Sequence, residues 1–156
     1  MADIGRTVMD RWRRAEGSRF GRRLFSLALG RFAPYSGTIG ARVEKLEPGR
    51  AVVTMRDRKA VRNHLRSVHA AALMNLIELS GSLAVIATLR PDTRMIPVRV
   101  ETDFVKKARG LLTAEARFEL PSTTETAEAP ATVSVRDDAG DEVARGKVIV
   151  RIGPAT

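Results

Sequence analysis

Residues 67–89 read SVHAAALMNLIELSGSLAVIATL, the longest apolar stretch in a chain of 156 residues. Leu73, Leu76, Ile77, Leu83, Ala84 and Ala87 recur at helical spacing and define an apolar face. Ser67 is the expected N-cap and Pro91 the expected stop. Glu78 is the only carboxylate of the stretch, and no Lys or Arg accompanies it. On a helix Asn75, Glu78 and Ser82 fall at i, i+3 and i+7, a thin polar stripe on an otherwise apolar rod. Ala70–Leu89 is twenty residues, long enough to cross a bilayer. An acid at the centre of such a span costs roughly 2.5–3.5 kcal/mol, and Asn75, Ser80 and Ser82 add to that cost. The stretch is therefore read as one long helix inside a protein core. Its carboxylate then needs a reason. Either an arginine such as Arg62 or Arg99 pairs with it, or it faces a cleft as a general base or nucleophile.

On both sides of this helix the pattern changes to alternation. Thr38–Leu46 and Arg50–Arg56 read as two strands joined at Glu47-Pro48-Gly49, followed by a polar connection, Asp57–Arg66. Beyond Pro91, Pro97–Val105, Gly110–Leu120, Ala131–Asp137 and Glu142–Ile152 read as four more strands. Pro121–Pro130 (PSTTETAEAP) reads as a loop, and Asp137–Asp141 as a tight hairpin turn. Two strands, one long helix and four strands give an α+β domain whose curved antiparallel sheet wraps the helix. A single sheet of this kind leaves one face uncovered, so self-association is expected.

Composition narrows the chemistry. There is no cysteine, which excludes disulfides, thiolate nucleophiles and Cys-based zinc sites. The only histidines are His64 and His69, too few for a three-His metal site. Lys and Arg number 27 against 18 Asp and Glu, a net charge of +9, which points to an anionic partner. Aromatic residues are only 4%, which argues against a single-strand binder built on stacking platforms. The charge is uneven. Arg6, Arg11, Arg13, Arg14, Arg19, Arg22, Arg23 and Arg31 face only Asp3, Asp10 and Glu16 in the first 31 residues. Ile4, Val8 and Trp12, then Phe20, Leu24, Phe25, Leu27 and Ala28, follow helical spacing, and Gly17-Ser18 divides them into two helices. Such an arm packs on its own domain or on a partner subunit, or lies on a membrane surface. No helix-turn-helix or similar module follows, so nucleic acid is not an expected partner. The first residues do not resemble a signal peptide, and the expected location is the cytoplasm.

The run Arg62-Asn63-His64-Leu65-Arg66-Ser67-Val68-His69-Ala70-Ala71-Ala72-Leu73, with Asn75-Leu76-Ile77-Glu78-Leu79-Ser80-Gly81 after it, resembles the hotdog fold. It is most similar to the domain-of-unknown-function branch related to phenylacetyl-CoA-type acyl-CoA thioesterases. In those enzymes an Asn stands six residues before a His-Gly-Gly, and an Asp or Glu stands nine after the His. Asn63, His69 and Glu78 keep both spacings. Val98–Phe104 followed by Lys106-Lys107-Ala108-Arg109-Gly110 resembles the family's third strand and its Pro-Ala-x-Gly turn. The resemblance covers residues 35–152. It implies a hotdog domain over residues 35–153, preceded by a helical arm over residues 1–34.

The resemblance also implies an activity: hydrolysis of an acyl-CoA or acyl-carrier thioester by a homodimer or homotetramer. By it, Glu78 is the general base or nucleophile, reaching the partner's site across a two-fold interface. The N–H near Ala70, at the helix N-terminus, is the oxyanion donor. Asn63 orients water or the carbonyl, and His69 braces the loop or hydrogen-bonds near the carbonyl. Read without the resemblance, Asn63 is equally a turn-forming residue and His69 a helix cap. Asn75 and Ser82, on the polar stripe, are expected to touch substrate. Arg94, Lys106, Lys107 and Arg109 are expected either to hold coenzyme A phosphates or to be solvated strand-end charge. No metal is expected, and no cofactor beyond the coenzyme A that the substrate carries. Two departures stand out. Ala70-Ala71 replaces the Gly-Gly, adding methyls where a thioester must approach. No Ser or Thr stands near Ile96 or Pro97, where many relatives carry a hydroxyl. They motivate a second reading, a non-catalytic hotdog protein that binds acyl groups or fatty acids.

Overall fold

The computed structural model describes residues 3–155. The apolar stretch forms the helix α4 (Ala70–Ile86), which follows three shorter helices, α1 (Ile4–Ala15), α2 (Arg19–Phe32) and α3 (Pro34–Gly37). A rod that is apolar on nearly every side has to be enclosed. Six antiparallel strands enclose it: β1 (Arg42–Glu47), β2 (Arg50–Arg56), β3 (Thr93–Phe104), β4 (Leu111–Arg117), β5 (Ala127–Arg136) and β6 (Glu142–Pro154). Their spatial order is β1-β2-β4-β5-β6-β3. Alternation sends Val53 and Met55, Leu112 and Ala114, Val133 and Val135, and Val148 and Val150 into one core with Leu76, Ile77 and Leu83. The result is the expected α+β architecture.

Several boundaries differ from expectation, each for a local reason. The helix begins at Ala70 rather than Ser67, and its cap is His69, whose Nδ1 accepts from the Ala71 N–H at 3.0 Å. Ser67 is instead held in the preceding loop, where its carbonyl accepts from the Asn63 N–H and Val68 bridges to Arg62, so the helix starts later. The helix ends at Ile86, before Leu89. The Thr88 hydroxyl donates to the Ala84 carbonyl and accepts from the Gly49 N–H at 2.6 Å, closing the last turn onto the β1–β2 turn. β1 starts at Arg42 because Thr38 and Gly40 belong to turns that follow α3. β3 begins before Pro97, at Thr93, and β5 begins at Ala127 inside the segment expected to be a loop. In both cases β6 supplies the ladder partner.

The arm is built into this core. Asp3 caps α1 and Ser18 caps α2, as the break at Gly17-Ser18 predicts. Trp12 is 1% exposed and meets Phe25 edge-on, with ring centroids 5.2 Å apart. Gly5 lets α1 approach the end of α4, since a Cβ there would lie 2.9 Å from the Ile86 carbonyl oxygen. α2 lies along β1, where the Ser26 hydroxyl accepts from the Val43 N–H at 3.0 Å. Residues 1 and 2 of the expected arm lie outside the described residues. No helix among the described residues is long and apolar enough to cross a membrane.

Two substitutions test this packing by thermal and urea denaturation. Trp12→Ala is expected to cost about 3–5 kcal/mol, the usual penalty for emptying a buried aromatic site. A loss well below that range would mean that the arm is only loosely attached. Gly81 faces β6, and a Cβ there would sit 2.6 Å from Val148 Cγ2. Better helix propensity favours Gly81→Ala by about 1 kcal/mol, but overpacking costs about 1–3 kcal/mol. The net expectation is a lower Tm, and a higher Tm would contradict the close helix–sheet approach.

Candidate active site

The segment leading into α4 is tied down at every turn. Arg62 and Val68 form an isolated antiparallel bridge, and the Asn63 N–H donates to the Ser67 carbonyl at 2.9 Å. The Asn63 side-chain oxygen accepts from the Leu65 N–H at 2.9 Å, from the Ser67 N–H at 3.2 Å and from the Ser67 hydroxyl at 3.4 Å. Arg66 takes a left-handed conformation, φ 55°, to let the chain fold back. The Val68 N–H reaches the Ala108 carbonyl, and the His69 N–H reaches the Val61 carbonyl at 2.8 Å. These bonds place the start of α4 at the surface. Ala70 is exposed, and among the described residues its N–H has no acceptor. A free amide at the positive end of a helix is suited to an oxyanion.

Eight residues on, the sheet leaves one strip of α4 open. Ala71 and Met74 are exposed and Glu78 is half-buried, at i, i+3 and i+7. Glu78 Oε1 accepts from the Ser82 hydroxyl at 2.7 Å, one turn later. No cation pairs with Glu78 among the described residues. Arg62 is taken by Asp57 at 2.6 Å and Arg99 by Glu101 at 2.9 Å, so neither is the partner that the sequence suggested. The Arg62 guanidinium, with the Gly110 N–H, holds the Asp57 carboxyl below its ordinary range. In this way Arg62 staples the loop to the end of β2.

A cavity of about 300 Å³ lies beside the helix start, lined by Tyr35, Ile39, Val61, His69, Ala71, Ala72 and Asn75. Asn75 is buried here, and its Nδ2 donates to the Tyr35 carbonyl at 3.2 Å. Tyr35, forty residues away in sequence, had no signal that could have marked it. Nor had Asp57, whose role depends on a contact between a strand end and the loop.

The structure separates the basic residues that the sequence grouped together. Arg109 Nε donates to the Arg66 carbonyl at 3.2 Å, beside the helix N-terminus. Lys106, nearby, is held by Asp137 at 2.9 Å and Asp141 at 2.6 Å, and these carboxylates raise its pKa. Lys107 is exposed and has no ion pair among the described residues. Arg94 stands near the other end of β3, about 33 Å of strand from Phe104. The four do not form one patch on a single chain. Among the described residues no group of three His, Asp or Glu is placed to hold a metal.

Solved structures with this architecture are numerous. A structural-genomics protein, APC5556, superposes with a TM-score of 0.81 at 27% identity, covering 99% of this chain and 100% of its own. A Pseudomonas aeruginosa protein described as a "Probable Thioesterase" gives 0.72 at 25% identity, covering 84% and 92%. A thioesterase family protein from Silicibacter pomeroyi gives 0.70 at 19% identity over 83% and 96%, a likeness of fold. No curated protein matches the sequence. The family model described as Domain of unknown function (DUF4442) matches residues 21–152, from α2 to the end of the sheet. The chain therefore belongs to that family, as a thioesterase-like member of the hotdog superfamily.

Proposed function

We propose that the protein hydrolyses acyl-CoA or acyl-carrier thioesters, with Glu78 as the base. The observation that carries this reading is the state of Glu78: a half-buried carboxylate with a hydroxyl on one oxygen, no cation among the described residues, and an open strip of helix around it. The likeness to a protein described as a thioesterase supports it. The Ala70 N–H polarises the thioester carbonyl. The Asn63 oxygen is used within its loop, so its Nδ2 is the group left to orient water or carbonyl. Glu78 removes a proton from water as the water oxygen bonds to the carbonyl carbon. The tetrahedral oxyanion collapses, the C–S bond breaks, and the thiolate takes the proton back from Glu78. A carboxylic acid and a thiol leave.

Two copies complete the site. Ala70 and Glu78 lie about 12 Å apart along α4, with exposed Met74 midway between them. Antiparallel contact of two such helices about Met74 sets Glu78 of one copy against Ala70 of the other. β3 is an edge strand with one ladder partner, and Ile96 and Val98 are exposed on it, so pairing it with a second β3 joins the two sheets. Antiparallel pairing of that kind also brings Arg94 of one copy toward Lys107 and Arg109 of the other, where they receive coenzyme A phosphates. A homodimer, or a homotetramer made of two, is the working unit, and its setting is the cytoplasm. The methyls of Ala70 and Ala71 at the mouth favour a second reading, acyl binding without turnover.

The test is thiol release from acyl-CoA of short, medium and long chain and from an aryl-acetyl-CoA. Glu78→Gln is expected to lower kcat by about 10²–10⁴ while leaving the melting curve intact. Full activity in that variant would overturn the role of Glu78. Binding by calorimetry with no thiol release from the wild-type protein would establish the second reading instead.

A further inference from the structure

α2 is apolar on two opposite sides. One side, Phe25 with Leu29, packs into the core. The other carries Phe20, Leu24 and Leu27 at i, i+4 and i+7, with 71%, 49% and 57% of their surface exposed. Phe32 and Tyr35, just beyond, are each 73% exposed. Apolar contact on this scale is not needed for folding and marks a surface that meets something. Its surroundings are strongly basic. Arg31 continues the same row at i+11, and Arg19 and Arg23 flank it. Among the described residues Arg19, Arg23 and Arg31 have no carboxylate partner, nor do Arg11 and Arg14 on α1. Arg23, Leu27 and Arg31 also border a groove of about 580 Å³ between α2 and β1, floored by Val43 and Leu79.

From these features we infer that α2 is a docking face for an anionic phospholipid bilayer. Phe20, Leu24 and Leu27 enter the acyl–headgroup boundary, and the arginines meet the phosphates. Charge complementarity selects this occupant: Arg19, Arg23 and Arg31, without counter-ions among the described residues, border an apolar row on the same helix, a pattern that fits neither water nor a basic second copy. A nucleic acid would match the arginines and leave the Phe and Leu row unused. The position in the fold agrees. α2 lies on β1, the edge of the sheet farthest from β3, so the face stays open in a dimer that pairs through β3.

The experiment is co-sedimentation of the full chain with vesicles of phosphatidylcholine alone, and with vesicles of phosphatidylcholine mixed with phosphatidylglycerol. Two triple variants accompany it, Phe20→Ser/Leu24→Ser/Leu27→Ser and Arg19→Gln/Arg23→Gln/Arg31→Gln. The wild-type protein is expected to pellet with the anionic vesicles only, and to be released at high salt. The arginine variant should bind more weakly by about fivefold for each charge removed. The serine variant should stay in the supernatant. Both should keep the wild-type elution volume, melting curve and rate of thiol release from soluble acyl-CoA, so failure here is separable from failure of the proposed activity. Absence of wild-type pelleting with anionic vesicles at low salt would overturn the inference. So would variants that alter the elution volume but bind vesicles normally, which would make the face an interface between copies.

Discussion

Water has to be kept from almost the whole circumference of α4. A helix carrying Leu73, Leu76, Ile77, Leu79, Leu83 and Val85 cannot rest with one side in solvent. The sheet therefore curves rather than lying flat, and its inner positions are small where the helix comes nearest. Ala131, Val148 and Gly81 mark that closest approach. What the sheet does not reach, α1 and α3 cover. Beyond the exposed first residue, Ala70, the strip that remains open is Ala71, Met74 and Glu78. An acid placed anywhere else on α4 would be sealed in the core at a prohibitive desolvation cost.

The loop before the helix meets a different demand. An oxyanion donor, the role proposed above for the Ala70 amide, must be fixed before the substrate arrives, because a site that reorganises during the reaction loses most of its electrostatic benefit. Residues 62–69 obtain rigidity from Asn63, from Arg62 bound to Asp57, and from main-chain bonds to Val61 and Ala108. Asn63 and His69 thereby act in the turn and the cap, the roles open to them on residue type alone. The same rigidity leaves the exposed Ala70 amide without an acceptor among the described residues.

Much of this was legible beforehand. Arg50–Arg56 alternates cleanly after a Pro-Gly turn, and it folds as read. The polar stripe of Asn75, Glu78 and Ser82 followed from helical spacing, and the structure keeps Ser82 on Glu78. The errors share a cause. Ser67 is a good cap in isolation, but its backbone is tied into the loop by Asn63 and by the Arg62–Val68 bridge, and a histidine outside the usual capping set takes the position. Ala127–Pro130 looks like loop because it continues the polar run Ser122–Thr126 and ends in proline, yet β6 supplies a ladder for it. The basic residues near β3 seemed a cluster because they are close in sequence, whereas a twelve-residue strand carries its ends far apart. Local preference was readable; competition between distant partners was not.

The bond from the Val43 N–H to the Ser26 hydroxyl has one more consequence. An open sheet has two edges, and two sticky edges on one subunit allow strand pairing to continue without end, subunit after subunit, into a fibre. Here β1 is occupied by α2, which takes up one of its outward amides and blocks the approach of another strand. Only β3 remains able to pair. Growth by strand addition is thereby barred at β1, and any strand that joins the sheet has only β3 to join.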